Sequence, residues 1–310
     1  MHRLSVFALL LCLTVPAAAL AASAESGQSF QSGGVSVYYE VLGSAPGKAA
    51  ASAAPPLVVA NGGPGFDHQY LHVSGVWGEL AKDRQVVLYD QRGTGRSTAG
   101  AAPGKLADQI ADLDALREHL GVQQIDLMGH SWGGYLAMAY TARHPDRVRR
   151  LVIVDSAAPR WGDTLFMFKE FYPERVASQD AVAFAAELGD SAASEASMRI
   201  YLSMLFYSPE NRDTFLAAAG FHYSADVNHA LNADLARFDL GPELLKFKMP
   251  ALVITGRYDA NVAPATAWRI HQAIPGSRFE VFEKSGHLPF FEEPARFVQV
   301  VGGFLGAGGQ

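Results

Sequence analysis

Six short apolar runs separated by helix-length stretches constrain this chain more than any other feature. They occupy residues 57–60, 86–89, 125–128, 151–154, 251–254 and 279–282. A strand buried on both faces reads as a continuous apolar run, and helices lying between such strands can cover both faces only if the sheet is mainly parallel. One covering helix is written plainly before the third run: Leu106, Ile110, Leu113, Leu116 and Leu120 step by three or four residues, and Gly121 ends the pattern. A second helix is expected over 135–144, directly after the third run. Residues 35–42 alternate as a half-buried strand does. The expectation is an α/β fold with a mainly parallel central sheet flanked by helices.

The rhythm breaks between Ala157 and Pro250, where helical Ala, Leu and Phe patterns continue without a convincing strand. Aromatic residues are frequent there, among them Trp161, Phe166, Phe168, Tyr201, Phe206 and Tyr223. This segment is expected to be an inserted helical cap, residues 157–250, upon a core made of 25–156 and 251–310. Residues 23–34 are small and polar and read as a disordered lead-in, and 44–56, rich in Ala with Gly and Pro, as a flexible insertion.

The N-terminus carries His2 and Arg3, an apolar run of about a dozen residues and a small-residue tract with Ala19-Leu20-Ala21 and Ala22-Ser23-Ala24. That is the layout of a signal peptide over 1–24, and the run is short of the roughly 20 residues that span a bilayer. Export to a periplasmic or secreted location is the expectation, with no stable membrane insertion after cleavage. The single cysteine, Cys12, falls inside this segment, so the mature chain is expected to use neither disulfide nor thiolate chemistry. A net charge of −6 offers no basic footprint for nucleic acid and suits a small or short-peptide substrate.

Chemistry enters with Gly129-His130-Ser131-Trp132-Gly133, which stands between the third run and its helix. Turning from strand to helix in so few residues strains the backbone at the serine, and the flanking glycines remove side chains that would collide. The hydroxyl is then presented at the C-terminal edge of the sheet. Serine is a poor nucleophile without a base in reach. Of ten histidines, His287 follows the last strand in Gly286-His287-Leu288-Pro289, where the order serine, acid, histidine demands it. His119, His130 and His144 read as structural or surface residues, His130 pointing away from the serine, while His68 and His72 are candidates to line the pocket. Asp259, after the fifth run and the Gly256 turn, is favoured as the acid that orients the base. Asp155, directly after the fourth run, competes with it. Negative charge on a carbonyl oxygen needs amides already in place, and Gly63 in Asn61-Gly62-Gly63-Pro64-Gly65, with Trp132 after the serine, can supply them.

Three motifs together carry a resemblance: Asn61-Gly62-Gly63-Pro64-Gly65, Asp90-Gln91-Arg92-Gly93-Thr94-Gly95-Arg96-Ser97 and Gly129-His130-Ser131-Trp132-Gly133-Gly134. The chain resembles the prolyl iminopeptidase family of serine peptidases within the α/β-hydrolases, closely over about 35–155 and 250–297 and loosely in the cap. The resemblance implies Ser131, Asp259 and His287 as a triad, Gly63 and Trp132 as the oxyanion hole, and removal of N-terminal residues, especially proline, from short peptides. Two positions depart from the pattern. Asn61 stands where the family usually has histidine and is expected to support the loop by hydrogen bonding. Such peptidases also hold the substrate's α-ammonium with cap carboxylates, and none of Glu170, Glu174, Glu187, Glu195 and Glu210 matches a family motif.

The mechanism so implied is hydrolysis through an acyl-enzyme, without metal or cofactor. A carboxylic-ester hydrolase or lactonase would keep the same triad beneath an apolar cap. A ligand-binding module without turnover would be favoured by a missing triad member.

Overall fold

The computed structural model describes residues 27–43, 54–101 and 104–306. The proposed signal segment with Cys12, and most of the 44–56 insertion, lie outside the described residues. The strands are β1 (Gln28–Ser32), β2 (Val35–Leu42), β3 (Leu57–Ala60), β4 (Val86–Tyr89), β5 (Ile125–His130), β6 (Val148–Val154), β7 (Ala251–Gly256) and β8 (Arg278–Phe282). They form one sheet in the order β1-β2-β4-β3-β5-β6-β7-β8. From β4 to β8 every neighbouring pair is parallel, while β1 and β2 run antiparallel along one edge.

Parallel neighbours need crossovers, and these are helical: α1 (Val76–Leu80), α2 (Leu106–His119) and α3 (Trp132–Arg143) in the first half. Between β6 and β7 come α4 (Phe168–Phe171), α5 (Pro173–Glu187), α6 (Ser191–Ser203), α7 (Pro209–Ala218), α8 (Ala225–Leu235) and α9 (Gly241–Leu244). After β7 follow α10 (Pro264–Ala273), α11 (Pro289–Glu292) and α12 (Pro294–Gly306). No described helix is long and apolar enough to cross a membrane.

Alternation along each strand divides the core in two. Val58 and Ala60 of β3, with Val87 and Tyr89 of β4, face the side covered by α2, α3 and α10. Leu57 and Val59, with Val86 and Leu88, face α1 and α12 through Trp77, Leu80, Phe297 and Val301. Burying both faces removes each run wholly from water, which is why apolar residues follow one another without a polar break. The helical stretch between β6 and β7 joins both cores, Val227 and Leu231 on one side and Leu202, Phe206 and Phe215 on the other. Its base is tied by a bridge between Arg160 and Asp239.

The polar lead-in expected over 23–34 is corrected in part: Gln28–Ser32 is a strand, paired with β2 from Gln28 opposite Tyr39 to Ser32 opposite Val35. Polarity misleads there because only one side of this edge strand is covered. Phe30 turns inward and stacks on His119 at a centroid distance of 5.1 Å, and Gly33 and Gly34 make the reversal at positive φ. Removing the one large apolar side chain that docks this edge, Phe30→Ala, is expected to lower stability by about 3 kcal/mol in urea-induced unfolding.

Candidate active site

Ser131 joins β5 to α3 with φ 57° and ψ −121°, a backbone state that a side chain adopts only under constraint. The constraint is packing. A Cβ on Gly129 would lie 2.1 Å from the Gly133 carbonyl oxygen, and one on Gly133 would lie 2.1 Å from that of Ala60. The Ser131 amide donates to Val154 O of the neighbouring strand at 2.9 Å and pins the turn to the sheet.

His287 follows β8 and meets Asp259 from the loop after β7, Nδ1 lying 2.7 Å from Oδ2. The other Asp259 oxygen accepts the Asn261 and Val262 amides at 2.8 and 2.9 Å. A carboxylate only accepts, so His287 Nδ1 carries the hydrogen and Nε2 holds the lone pair a general base requires. Here that lone pair is 3.0 Å from the Asn261 amide nitrogen, whose Oδ1 receives the Tyr201 hydroxyl at 3.3 Å. No hydrogen bond joins Ser131 Oγ to His287 among the described residues; both line one small chamber, and Ser131 and Asn261 line one cleft. Asp155 is close by, but its Oδ1 accepts the Gly256 amide at 2.8 Å, and the imidazole is bonded to Asp259.

Gly63 and Trp132 flank Ser131 in the cleft wall. Neither amide donates a hydrogen bond among the described residues, so two N–H groups are left available beside the serine. Asn61 secures the loop by donating to Gly62 O, Phe66 O and Asp67 O at 2.9, 2.8 and 3.2 Å. Gln91 joins loop to elbow: its Nε2 donates to Asn61 O at 2.8 Å, and its Oε1 accepts from Trp132 Nε1 at 2.6 Å.

A second tie runs from this loop to His287. Gly62 N–H donates to the Tyr70 hydroxyl at 2.6 Å, that hydroxyl meets His130 Nδ1 at 2.7 Å, and His130 Nε2 meets His287 O at 2.8 Å. Because a backbone carbonyl only accepts, Nε2 bears the hydrogen and Nδ1 accepts from Tyr70. Burial, with the neighbouring His287 adding to it, holds His130 far below the usual histidine range, so the ring is neutral as this chain of bonds requires.

His68 and His72 do not line the cleft beside Ser131. His68 Nδ1 lies 2.6 Å from Asp90 Oδ1 and its Nε2 lies 3.5 Å from Glu40 Oε2, which His72 Nε2 approaches to 2.9 Å. Burial alone would push His68 down, but the bonds and charges of Asp90 and Glu40 outweigh it and hold its pKa at about 9. Glu40, His68 and His72 offer three potential ligand atoms within 4.8 Å of one another. Each His68 nitrogen faces a carboxylate, so the protonated ring supplies this cluster with a cation of its own. The Asp90 to Ser97 segment is scaffold here: Arg92 is bidentate on Asp112 at 2.8 and 2.6 Å, and Arg96 reaches Glu40 at 3.0 Å.

The cleft has a volume of about 650 Å³ and is bounded by Phe66, Trp161, Phe168, Met198 and Tyr223, with Gln179, Asn228 and Asn232 as its longer polar groups. On the other side of Ser131 is an apolar chamber of about 40 Å³ among Leu202, Leu205, Phe215, Phe221 and Leu288. No described carboxylate side chain lines either space. Glu170, Glu174, Glu195 and Glu210 are exposed and away from both.

Sequence reasoning missed Asn261, Gln91 and Tyr70, and gave His130 no partner. Gln91 carried a usable signal, being an uncharged polar residue between Asp90 and Arg92 at the end of a buried strand. Tyr70 and Asn261 carried none, since their partners are distant in sequence.

The sequence profile described as alpha/beta hydrolase fold matches residues 55–294. A proline iminopeptidase of Clostridium botulinum is 30% identical over 285 residues, 86% of this chain and 94% of that one. The crystal structure of proline iminopeptidase from Mycobacterium smegmatis superposes with a TM-score of 0.68 at 26% identity, covering 90% of this chain and 97% of that one. An enol-lactonase from Burkholderia xenovorans superposes with a TM-score of 0.67 at 24% identity, covering 90% of this chain and 99% of that one, a likeness of fold.

Two outcomes are expected. Tyr70→Phe strands the Gly62 amide and removes the hydrogen bond donated to His130 Nδ1, so kcat should fall by about tenfold with KM little changed, as steady-state kinetics will read. Because the folded pKa of His68 is raised from 6.5 to about 9, its contribution to stability is complete below about pH 6.5 and is lost as pH rises through about 9. The thermal midpoint should therefore decline across that window, and His68→Gln should remove the corresponding part of the slope.

Proposed function

We propose, since the chain belongs to the α/β-hydrolase fold family and to its proline iminopeptidase-like branch, that it is a serine hydrolase with Ser131 as nucleophile, His287 as base and Asp259 as the orienting acid. The observation that carries this reading is a strained serine beside two unengaged amides and a histidine whose Nδ1 is held by a buried carboxylate. On substrate binding, His287 Nε2 leaves the Asn261 amide and takes the Ser131 proton as Oγ attacks the carbonyl carbon. The oxygen that becomes negative is received by the Gly63 and Trp132 amides. The histidine returns the proton to the leaving group, then activates water to release the acyl group from Ser131. Every proton in this cycle is carried by residues of the chain.

The substrate class proposed is a short peptide that loses its N-terminal residue, proline above all. The relative from Clostridium botulinum supports it, and so does the apolar chamber among Leu202, Leu205, Phe215 and Phe221, which suits a small apolar ring on the acyl side. A second reading, a small ester or lactone, is favoured by one observation: Gln179, Asn228 and Asn232 line the cleft without a described carboxylate to hold an ammonium. Action outside the cytoplasm, periplasmic or secreted, belongs to the same proposal and rests on the signal-like layout of residues 1–24.

A paired assay on the mature chain separates the substrates, using a chromogenic prolyl amide with a free amino group and a short-chain acyl ester. Preference for the amide, abolished by N-acetylation, is the expected result; ester cleavage alone would establish the second reading. Ser131→Ala should lower kcat on the preferred substrate on the order of 10⁴-fold or more, and full turnover by that variant would overturn the mechanism.

A further inference from the structure

The site contains a second buried carboxyl that the mechanism above does not use. Asp155, directly after β6, has φ 44°; among the described residues it and Ser131 are the non-glycine positions with positive φ. Its side chain is sealed from solvent. Oδ1 accepts the Gly256 amide, and Oδ2 is buried with no hydrogen-bond partner. One carboxyl oxygen of Asp155, one of Asp259 and one ring nitrogen of His287 lie within 4.8 Å of one another.

The two acids are furnished unequally. Asp259 receives two backbone N–H groups and the imidazole N–H, whereas Asp155 receives one backbone N–H. A bare ionised oxygen in so deeply buried a site is costly, and two carboxylates so close disfavour each other's ionisation. The donors therefore decide where the single charge resides. It belongs on Asp259, where three donors meet it, and the proton belongs on the unpartnered oxygen of Asp155.

We propose that Asp155 is a positioning residue, a neutral acid that acts through Asp259: its proton keeps the buried carboxyl pair at one negative charge and confines that charge beneath the His287 ring. This rests on the reading of Asp259 and His287 as the acid and base of the site. Burial, and after it the Asp259 charge, push the Asp155 carboxyl well above the usual carboxylate range, in line with the geometry. The titratable groups that bear on the pair are His287 from the loop after β8, Tyr201 of α6 and Tyr172 between α4 and α5, both tyrosines through Asp259. An ionised Asp155 would be a second anion near the base and would raise the pH of the acid limb of kcat/KM. A neutral one leaves that limb to Asp259 alone.

Asp155→Asn tests this, because asparagine enters positive φ readily and its carbonyl can still accept the Gly256 amide. The infrared difference between the wild-type chain and the variant at neutral pH should contain the carbonyl stretch of a protonated carboxylic acid, lost on substitution. The acid limb of kcat/KM should stay within about 0.3 pH unit while kcat falls several-fold, the KM remaining within about twofold. Absence of the infrared band, or an acid limb displaced downward by about one unit, would overturn the proposal. Asp155→Gly, equally at ease at positive φ, provides the same infrared comparison should the asparagine variant not fold. The Ser131→Ala assay is independent: full turnover there with the band intact sinks the catalytic reading and leaves the Asp155 proton standing, and a missing band with an essential Ser131 does the reverse.

Discussion

The C-terminal edge of the sheet depends on how closely α3 is allowed to approach β3. A hydrogen in place of a side chain at Gly133 lets the first turn of the helix lie against the Ala60 carbonyl. That approach brings the loop after β3 alongside the elbow, so that Gly63 and Trp132, distant in sequence, present their amides to one space. Gln91 then fixes the spacing, with one end on Asn61 and the other on the Trp132 indole. The strain at Ser131 persists because the surroundings leave its backbone no other course.

Three buried histidines near this edge are set to three different purposes by what surrounds them. His68 has a carboxylate at each nitrogen and, while protonated, is a cation joining β2, the end of β4 and the loop after β3. His130 faces a hydroxyl and a carbonyl in a site without charge partners and is a neutral spacer. His287 has a carboxylate on one nitrogen and an amide on the other, which leaves its second nitrogen open to exchange one partner for another. Residue type alone distinguishes none of these, and each follows from counting donors and acceptors around the ring.

What could be read from the sequence was whatever depends on order along the chain. The parallel strands announced themselves because burial on both faces leaves an unbroken apolar run, and the helix from Leu106 because its period is carried by leucines. The elbow, His287 and Asp259 were legible because strand ends are where a parallel sheet exposes side chains. β1 was hidden by its polarity, since a single inward phenylalanine holds it. Tyr70, His130 and Asn261 were hidden for another reason: each is defined by a partner in a different element, and no local pattern records a hydrogen bond between residues 62 and 70 or 130 and 287. The positive φ of Asp155 was equally invisible, although its position at a strand end marked it as a competitor for Asp259.

The helical stretch between β6 and β7 is commonly pictured as a cover that rests upon finished machinery. Here the His287 amide donates to Leu205 O just beyond α6 at 2.7 Å, and the Ser224 amide at the start of α8 donates to Gly65 O at 2.9 Å. The loop that carries His287 and the loop that carries Gly63 are thus each hung from it. Exchanging this segment for that of a relative would transplant two supports of the proposed site along with part of the cleft wall. Diversification of what the protein accepts is consequently coupled to how well it turns anything over, and the two properties cannot drift apart freely.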